Sequence, residues 1–194
     1  MSDTVMVRRF PMPEVNGVNT YLVWLEESRQ AFIIDPGGIA DNIPAFIQET
    51  GLDVQGILLT HTHWDHIGGV SFFRDRFEVD VFAHAEAPDS RQLASRFVKE
   101  KDVLPLGDIE GRIWETFGHQ IGHVCYQFGE HLFSGDALYA GSVGGTIHAA
   151  QFVNQVEAIR RKLFTLGDNV RVWPGHGPAT RIGLERRLNP FFLV

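Results

Sequence analysis

A single cysteine, Cys125, is all the thiol this 194-residue sequence has. An internal disulfide cannot form, which removes the disulfide-rich secreted scaffolds from consideration. The sequence also lacks an apolar run of about 20 residues, as a membrane-spanning helix requires. Basic charge is in short supply: 17 Lys and Arg stand against 24 Asp and Glu, for a formal net charge of −7. That balance disfavours nucleic acid or an anionic membrane as a partner. No secretory leader is visible, because residues 1–10 carry Arg8 and Arg9 without an apolar stretch after them. These absences set the expectation of a cytoplasmic protein that acts on a small molecule. The oligomeric state stays open.

Apolar residues are plentiful, at 44% of the chain. That suffices for one packed core, and residues 1–194 read as a single domain. Strands are expected over 5–10, ended by Pro11 and Pro13, and over 20–25 and 30–34, the latter two as a hairpin. Ile43, Phe46 and Ile47 fall at helical spacing in 41–50, with Gly51 as the stop. Residues 56–60 form a short apolar segment that reads as a buried strand. A short helix over 70–77, a strand over 79–83 and a helical stretch near 86–97 follow. This alternation implies helices packed on a sheet. The second half returns to strands at 112–117, 124–128, 131–134 and 170–173. Between them lies the clearest helix, 151–166, with Phe152, Val156, Ile159, Leu163 and Leu166 three or four apart. A short helix at 181–187 precedes an apolar end, 191–194, suited to the core or to a partner subunit.

The most informative stretch is Thr60-His61-Thr62-His63-Trp64-Asp65-His66-Ile67-Gly68-Gly69. It places three imidazoles and a carboxylate directly after a buried strand. Residues two apart on an extended backbone face one side, so His61 and His63 can grip one ion. Asp65 and His66 follow a change of direction and can serve a second ion. Imidazole with carboxylate suits zinc, iron or manganese. Three more β-like segments run into ligand-type residues beside glycine, at His119, Asp136 and His176. A sheet whose strand ends converge on one edge would gather all of these in one cleft. His84 and His131, near strand ends without a partner cluster, read as structural or surface residues. His123 reads as a hydrogen-bonding residue and Cys125 as a small core residue.

His61-Thr62-His63-Trp64-Asp65-His66 followed by Gly68-Gly69 resembles the HxHxDH signature of the metallo-β-lactamase fold superfamily. The resemblance runs over nearly the whole chain, with the ligand motifs in the family's order. It implies an α/β fold, the four-layer αββα sandwich of two sheets flanked by helices, with the metal site at the sheet edge. It gives His61, His63 and His119 to a first metal, Asp65, His66 and His176 to a second, and Asp136 to both as a bridge. Asp35, in Asp35-Pro36-Gly37-Gly38, would lie beneath the site as a hydrogen-bonding support. The implied cofactor is a pair of divalent ions, zinc foremost, with iron or manganese as alternatives. Such a pair lowers the pKa of a shared water toward about 7. Asp65 would also be catalytic, orienting the hydroxide, and no Ser or Cys nucleophile is needed. His148, in the glycine-rich loop 141–148, and Tyr139 are candidate substrate contacts.

Within that superfamily the chain looks most like glyoxalase II (hydroxyacylglutathione hydrolase) and its short bacterial relatives. The residues concerned are Phe133-Ser134-Gly135-Asp136-Ala137-Leu138-Tyr139, Pro174-Gly175-His176-Gly177-Pro178-Ala179-Thr180 and Glu185-Arg186-Arg187-Leu188-Asn189-Pro190-Phe191. That likeness implies hydrolysis of a thioester. Two departures imply a non-standard thiol: Gly144-Gly145-Thr146 stands where relatives carry Arg or Lys, and the sequence has only a few residues after Asn189-Pro190. Weak activity on lactoylglutathione is therefore expected. Persulfide dioxygenases of the superfamily hold one iron with residues matching His61, His119 and Asp136, and are the alternative, together with lactonases and other ester hydrolases.

Overall fold

The computed structural model describes residues 3–193, so Val194 of the apolar end lies outside the described residues. β1 (Val5–Met12), β2 (Val18–Leu25) and β3 (Gln30–Ile34) form an antiparallel meander, and α1 (Asn42–Thr50) follows. β4 (Asp53–Leu58) then pairs in parallel with β3. α2 (Trp64–Ile67) and α3 (Val70–Phe77) lead to β5 (Val81–His84), and α4 (Ser90–Leu93) to β6 (Arg96–Val98). These six strands make one sheet in sequence order.

The second sheet starts with β7 (Val103–Leu106), β8 (Ile109–Glu115), β9 (Val124–Phe128) and β10 (His131–Gly135). A small hairpin of β11 (Leu138–Tyr139) and β12 (Ser142–Val143) comes next, then α5 (Ala149–Arg161). β13 (Arg171–Pro174), β14 (Thr180–Arg181) and α6 (Ile182–Leu188) complete it, in the order β14-β13-β10-β9-β8-β7.

Three apolar layers hold these parts together. Leu22, Ile33 and Ile57 pack with Ile43, Ile47 and Phe73 of α1 and α3. Tyr21, Phe32, Ile34 and Leu58 meet Ile113, Tyr126, Phe128 and Phe133 between the sheets. Leu132 and Val172 pack under Ile159 and Ile182 of α5 and α6, with Cys125 in the same layer. The result is the αββα sandwich. It also explains β2, which is buried along its whole length: even and odd positions enter different apolar layers. A strand covered on both faces does not alternate in sequence.

Several boundaries differ from the sequence reading, each for a local reason. β1 continues through Pro11 to Met12. It is an edge strand, where a missing N–H costs no ladder bond. β7, with Pro105, is likewise an edge strand and had no sequence signal. The helical stretch near 86–97 is a single turn at Ser90–Leu93, because Arg96 and Phe97 pair with Phe82 and Ala83 as β6. The helix over 151–166 starts at Ala149 and ends at Arg161, after which Leu163–Thr165 tighten into a 3₁₀ turn. Phe192 of the apolar end tucks against Phe164, with ring centroids 4.6 Å apart, while Phe191 and Leu193 stay exposed. Among the described residues no helix is long and apolar enough to cross a membrane.

Candidate metal centre

The C-terminal ends of β4, β8, β10 and β13 open onto one edge of the sandwich, and each delivers a ligand-type residue there. His61 and His63 follow β4 in extended backbone. Asp65 and His66 enter through the short turn of α2. His119 follows β8, Asp136 follows β10, and His176 follows β13.

The structure brings all seven side chains together. His63 Nδ1 lies 3.1 Å from His61 Nε2 and 2.9 Å from His119 Nε2. Asp136 Oδ2 lies 3.4 Å from His119 Nε2 and 4.0 Å from His61 Nε2. It is also 3.5 Å from His176 Nε2, while Asp136 Oδ1 is 3.4 Å from His66 Nε2. His176 Nε2 is 3.4 Å from Asp65 Oδ2. Asp136 thus groups with a first trio, His61–His63–His119, and also faces His66 and His176 of a second, Asp65–His66–His176. The floor is buried, since His61, Asp65, His66 and Asp136 are all 5% exposed or less, whereas His63, His119 and His176 are partly open to solvent.

Hydrogen bonds decide which way the ring nitrogens face. Thr60 donates its hydroxyl to Asp35 Oδ2, so Thr60 Oγ1 accepts from His61 Nδ1 at 3.0 Å. His119 Nδ1 donates to the Gly145 carbonyl at 2.6 Å, and His66 Nδ1 to Asp35 Oδ2 at 3.0 Å. Each bond places the proton on Nδ1 and leaves Nε2 as a lone pair turned into the cluster. When the rings are neutral, lone pairs and carboxylate oxygens face one another with no donor between them. His66 Nε2 and Asp136 Oδ1 are buried without any hydrogen-bond partner. Such a cluster is satisfied by cations. The spacing agrees, because ligands about 2.0–2.1 Å from a tetrahedral zinc lie about 3.3 Å apart.

The charge balance follows from the same contacts. Burial, followed by the neighbouring imidazoles of His66, His123 and His119, holds His61 well below its ordinary pKa. His63 is lowered by burial and by His119. Burial alone would depress His66 too, but the Asp136 and Asp35 carboxylates overcome this and raise it to about 10, so that without a metal its Nε2 holds a proton which a bound cation would displace. Burial opposes ionisation of Asp136, yet His66 and the imidazoles around it hold its carboxyl below the usual range.

Several supports had no legible sequence signal. Asn16 donates its amide to Asp65 Oδ2 at 2.7 Å. Asn19 donates to the Pro174 and Gly177 carbonyls at 3.0 and 2.9 Å, bracing the His176 loop. Gln155, buried in α5, donates to the carbonyls of Ala137 and Gly144. Each acts across more than ten residues of chain, and only the fold reveals the pairing. Asp35 and His123 were legible as supports, and the structure places both beneath the ligands. His123 accepts from the Asp136 N–H and faces Thr116, while burial and nearby His119 push it down to about 3, so it stays neutral. His84 bonds Glu115, His131 stacks on Trp173, and Cys125 is fully buried.

Tyr139 stands beside this cluster, its ring 6.2 Å from that of His176. Burial first, and then the Asp136 charge, push its hydroxyl above the ordinary range, so it stays protonated. His148 caps the start of α5, its N–H donating to Gln151, and its ring is exposed. No hydrogen bond joins that ring to the seven ligands among the described residues.

Gly175 must be glycine. A Cβ there would sit 2.2 Å from Asp136 Oδ1 and 2.7 Å from His66 Cε1. Gly175→Ala is expected to lower metal affinity about 10- to 100-fold, as loss of ligand positioning does, read by titration with a competing chelator. Unchanged affinity would show that the ligands tolerate displacement.

The profile of the metallo-β-lactamase superfamily matches residues 13–176. The chain belongs to the metallo-β-lactamase superfamily. Within it, the chain is 33% identical over 203 residues to a probable metallo-hydrolase of Streptococcus pyogenes, covering 92% of this chain and 87% of that protein. It is also 33% identical over 197 residues to the hydroxyacylglutathione hydrolase GloC of Haemophilus influenzae, covering 89% and 92%. Among solved structures, the BLEG-1 B3 metallo-β-lactamase superposes with a TM-score of 0.87 at 31% identity, over 97% of this chain and all of that one. ETHE1 from Myxococcus xanthus gives 0.82 at 28%, covering 95% and 83%. TTHA1623 in a di-iron-bound form gives 0.78 at 31%, covering 95% and 99%. These likenesses make this superfamily member a metallo-hydrolase whose His and Asp cluster suits divalent metals.

Proposed function

We propose that this chain is a dinuclear metal-dependent hydrolase that cleaves thioesters. His61, His63 and His119 would hold one ion, Asp65, His66 and His176 the other, and Asp136 would serve both. The observation that supports this best is the single shared carboxylate with two trios of inward-facing ligand atoms at metal-ligand spacing. Two divalent ions there supply a nucleophilic water at neutral pH and polarise a carbonyl oxygen. Zinc is the proposed metal, with iron the rival that the di-iron relative supports. The thioester itself is supported by the relative named hydroxyacylglutathione hydrolase.

The chain's own residues divide the remaining work. Asp65, pinned by Asn16, orients the attacking water and takes up its proton. Tyr139, protonated beside Asp136 and His176, is a donor for a substrate oxygen. His148, three residues after the Gly145 carbonyl that fixes His119, is a second contact at the cleft mouth. The persulfide dioxygenase alternative draws on His61, His119 and Asp136 alone, and on the likeness to ETHE1. It leaves the second trio without a purpose.

The test is metal content of protein purified without added metal, followed by a thioester, lactone and persulfide panel. About two ions per chain and kcat/KM of about 10⁴ M⁻¹s⁻¹ or more on a thioester are expected, with lactoylglutathione below that value. One iron per chain, oxygen consumed with a persulfide and no thioester cleaved would overturn the reading. Cleavage of lactones alone would move the substrate to an oxygen ester.

A further inference from the structure

The loops that bring the first trio together also carry large apolar side chains in the open. Trp64 directly follows His63 and is 66% exposed. Ile121 comes two residues after His119 and is 57% exposed, and Ile147 comes two residues after Gly145 and is 85% exposed. The three loops are tied to one another. The Thr62 N–H and hydroxyl both donate to Gln120 Oε1, at 2.9 and 3.0 Å. The Gly145 carbonyl accepts from His119 Nδ1 at 2.6 Å.

A lone exposed apolar residue is ordinary, but here each of the three segments that meet at the first trio carries one. Fold stability does not call for them, since a polar side chain would serve as well at such exposure. Gly145 offers no charge, although an added Cβ there meets nothing within 4 Å, so packing would allow a longer residue. Arg9 lies by the second trio, donating to the Gly177 carbonyl at 3.0 Å. The His119 loop also leads to a cavity of about 580 Å³ in which Phe97 and Phe117 are joined by Glu86, Lys99, Asp102 and Glu115, so the uncharged seat is on the exposed side chains and not in that cavity. Gly122 of that loop packs on the backbone of Ala87 and Glu86, the latter part of the cavity's lining.

We infer that the substrate presents an apolar, uncharged aliphatic or aromatic group to the first trio, seated on Trp64, Ile121 and Ile147. This rests on the thioester reading and narrows it. Either half of a thioester could supply such a group, and the two halves are separated by the test. Each methylene withdrawn from water on such a surface is worth about two- to fourfold in affinity.

The experiment uses the full chain loaded with zinc. One arm lengthens the acyl group, from acetyl to hexanoyl thioesters of N-acetylcysteamine. The other lengthens the thiol, from acetyl-ethanethiol to acetyl-hexanethiol, with lactoylglutathione as the charged comparator. One arm is expected to raise kcat/KM at least tenfold, and Ile147→Asn to lower the long member's value more than the short one's, through KM. A flat response in both arms, or a preference for lactoylglutathione, overturns the inference. Calorimetry with uncleavable thioethers, S-ethyl and S-hexyl N-acetylcysteamine, gives a readout free of turnover. Tighter binding of the hexyl compound by about tenfold, weakened by Ile147→Asn, supports the apolar seat. Equal binding overturns it. Failure to cleave any thioester would instead strike the thioester reading, with the calorimetry still deciding the seat.

Discussion

Asp136→Asn is expected to strip both metals and to cut thioester kcat/KM about a thousandfold or more, which is about 4 kcal/mol of transition-state stabilisation. The expectation follows from one side chain serving two trios. Oδ2 faces His61, His119 and His176, and Oδ1 faces His66. An amide removes the shared anion and points an NH₂ at imidazole lone pairs or at the buried His66 Nε2. Like a donor facing a cation, it repels what the site is shaped to hold. Metal content by mass spectrometry and the thioester assay check the claim, with circular dichroism as the control for folding. A variant that keeps two ions and a tenth of the activity would show that Asp136 is not the bridge.

The second large effect is expected at Asp35, which touches no inward-facing ligand atom. Its carboxylate accepts from the Thr60 N–H at 2.8 Å, the Thr60 hydroxyl at 2.6 Å and His66 Nδ1 at 3.0 Å. It is 2% exposed, and its backbone sits at a φ of +47°, a region that non-glycine residues rarely adopt. Three local donors are therefore what the strained carboxylate organises. Asp35→Ala strands those donors, with an expected loss of about 3 kcal/mol or more in stability. Asp35→Asn is the gentler variant. It places an NH₂ against Thr60 or His66, freeing the His66 tautomer, and is expected to weaken metal binding about 10- to 100-fold. Excess zinc should restore much of the Asn variant's activity, because the ligands themselves remain. Full activity without added zinc, together with an unchanged melting temperature, would show that His66 needs no such support.

Legibility in the sequence followed the range of the interactions concerned. The cluster from His61 to His66 could be read because its candidate ligands are neighbours in the chain, one or two positions apart on a strand end and a turn. The helix around Ile159 could be read because its apolar stripe is local. β7 could not, since Val103-Leu104-Pro105-Leu106 becomes a strand only where β8 offers it an edge. Near 86–97 the helical pattern lost to pairing between Phe97 and Ala83. Asn16 looked like a turn residue beside Gly17, and its amide reaches Asp65 only after the chain folds.

By itself, then, the sequence determined the imidazoles and carboxylates available, their order and the strand-end glycines beside three of them, because side-chain chemistry and backbone sterics are written residue by residue. Tertiary structure decided which nitrogen of each ring faces inward, that one carboxylate faces both trios, and that Trp64, Ile121 and Ile147 stand exposed on segments that meet at the first trio. Those are matters of distance and hydrogen bonding between segments far apart in the chain. They exist only once two sheets close against each other and bring four strand ends to a common edge.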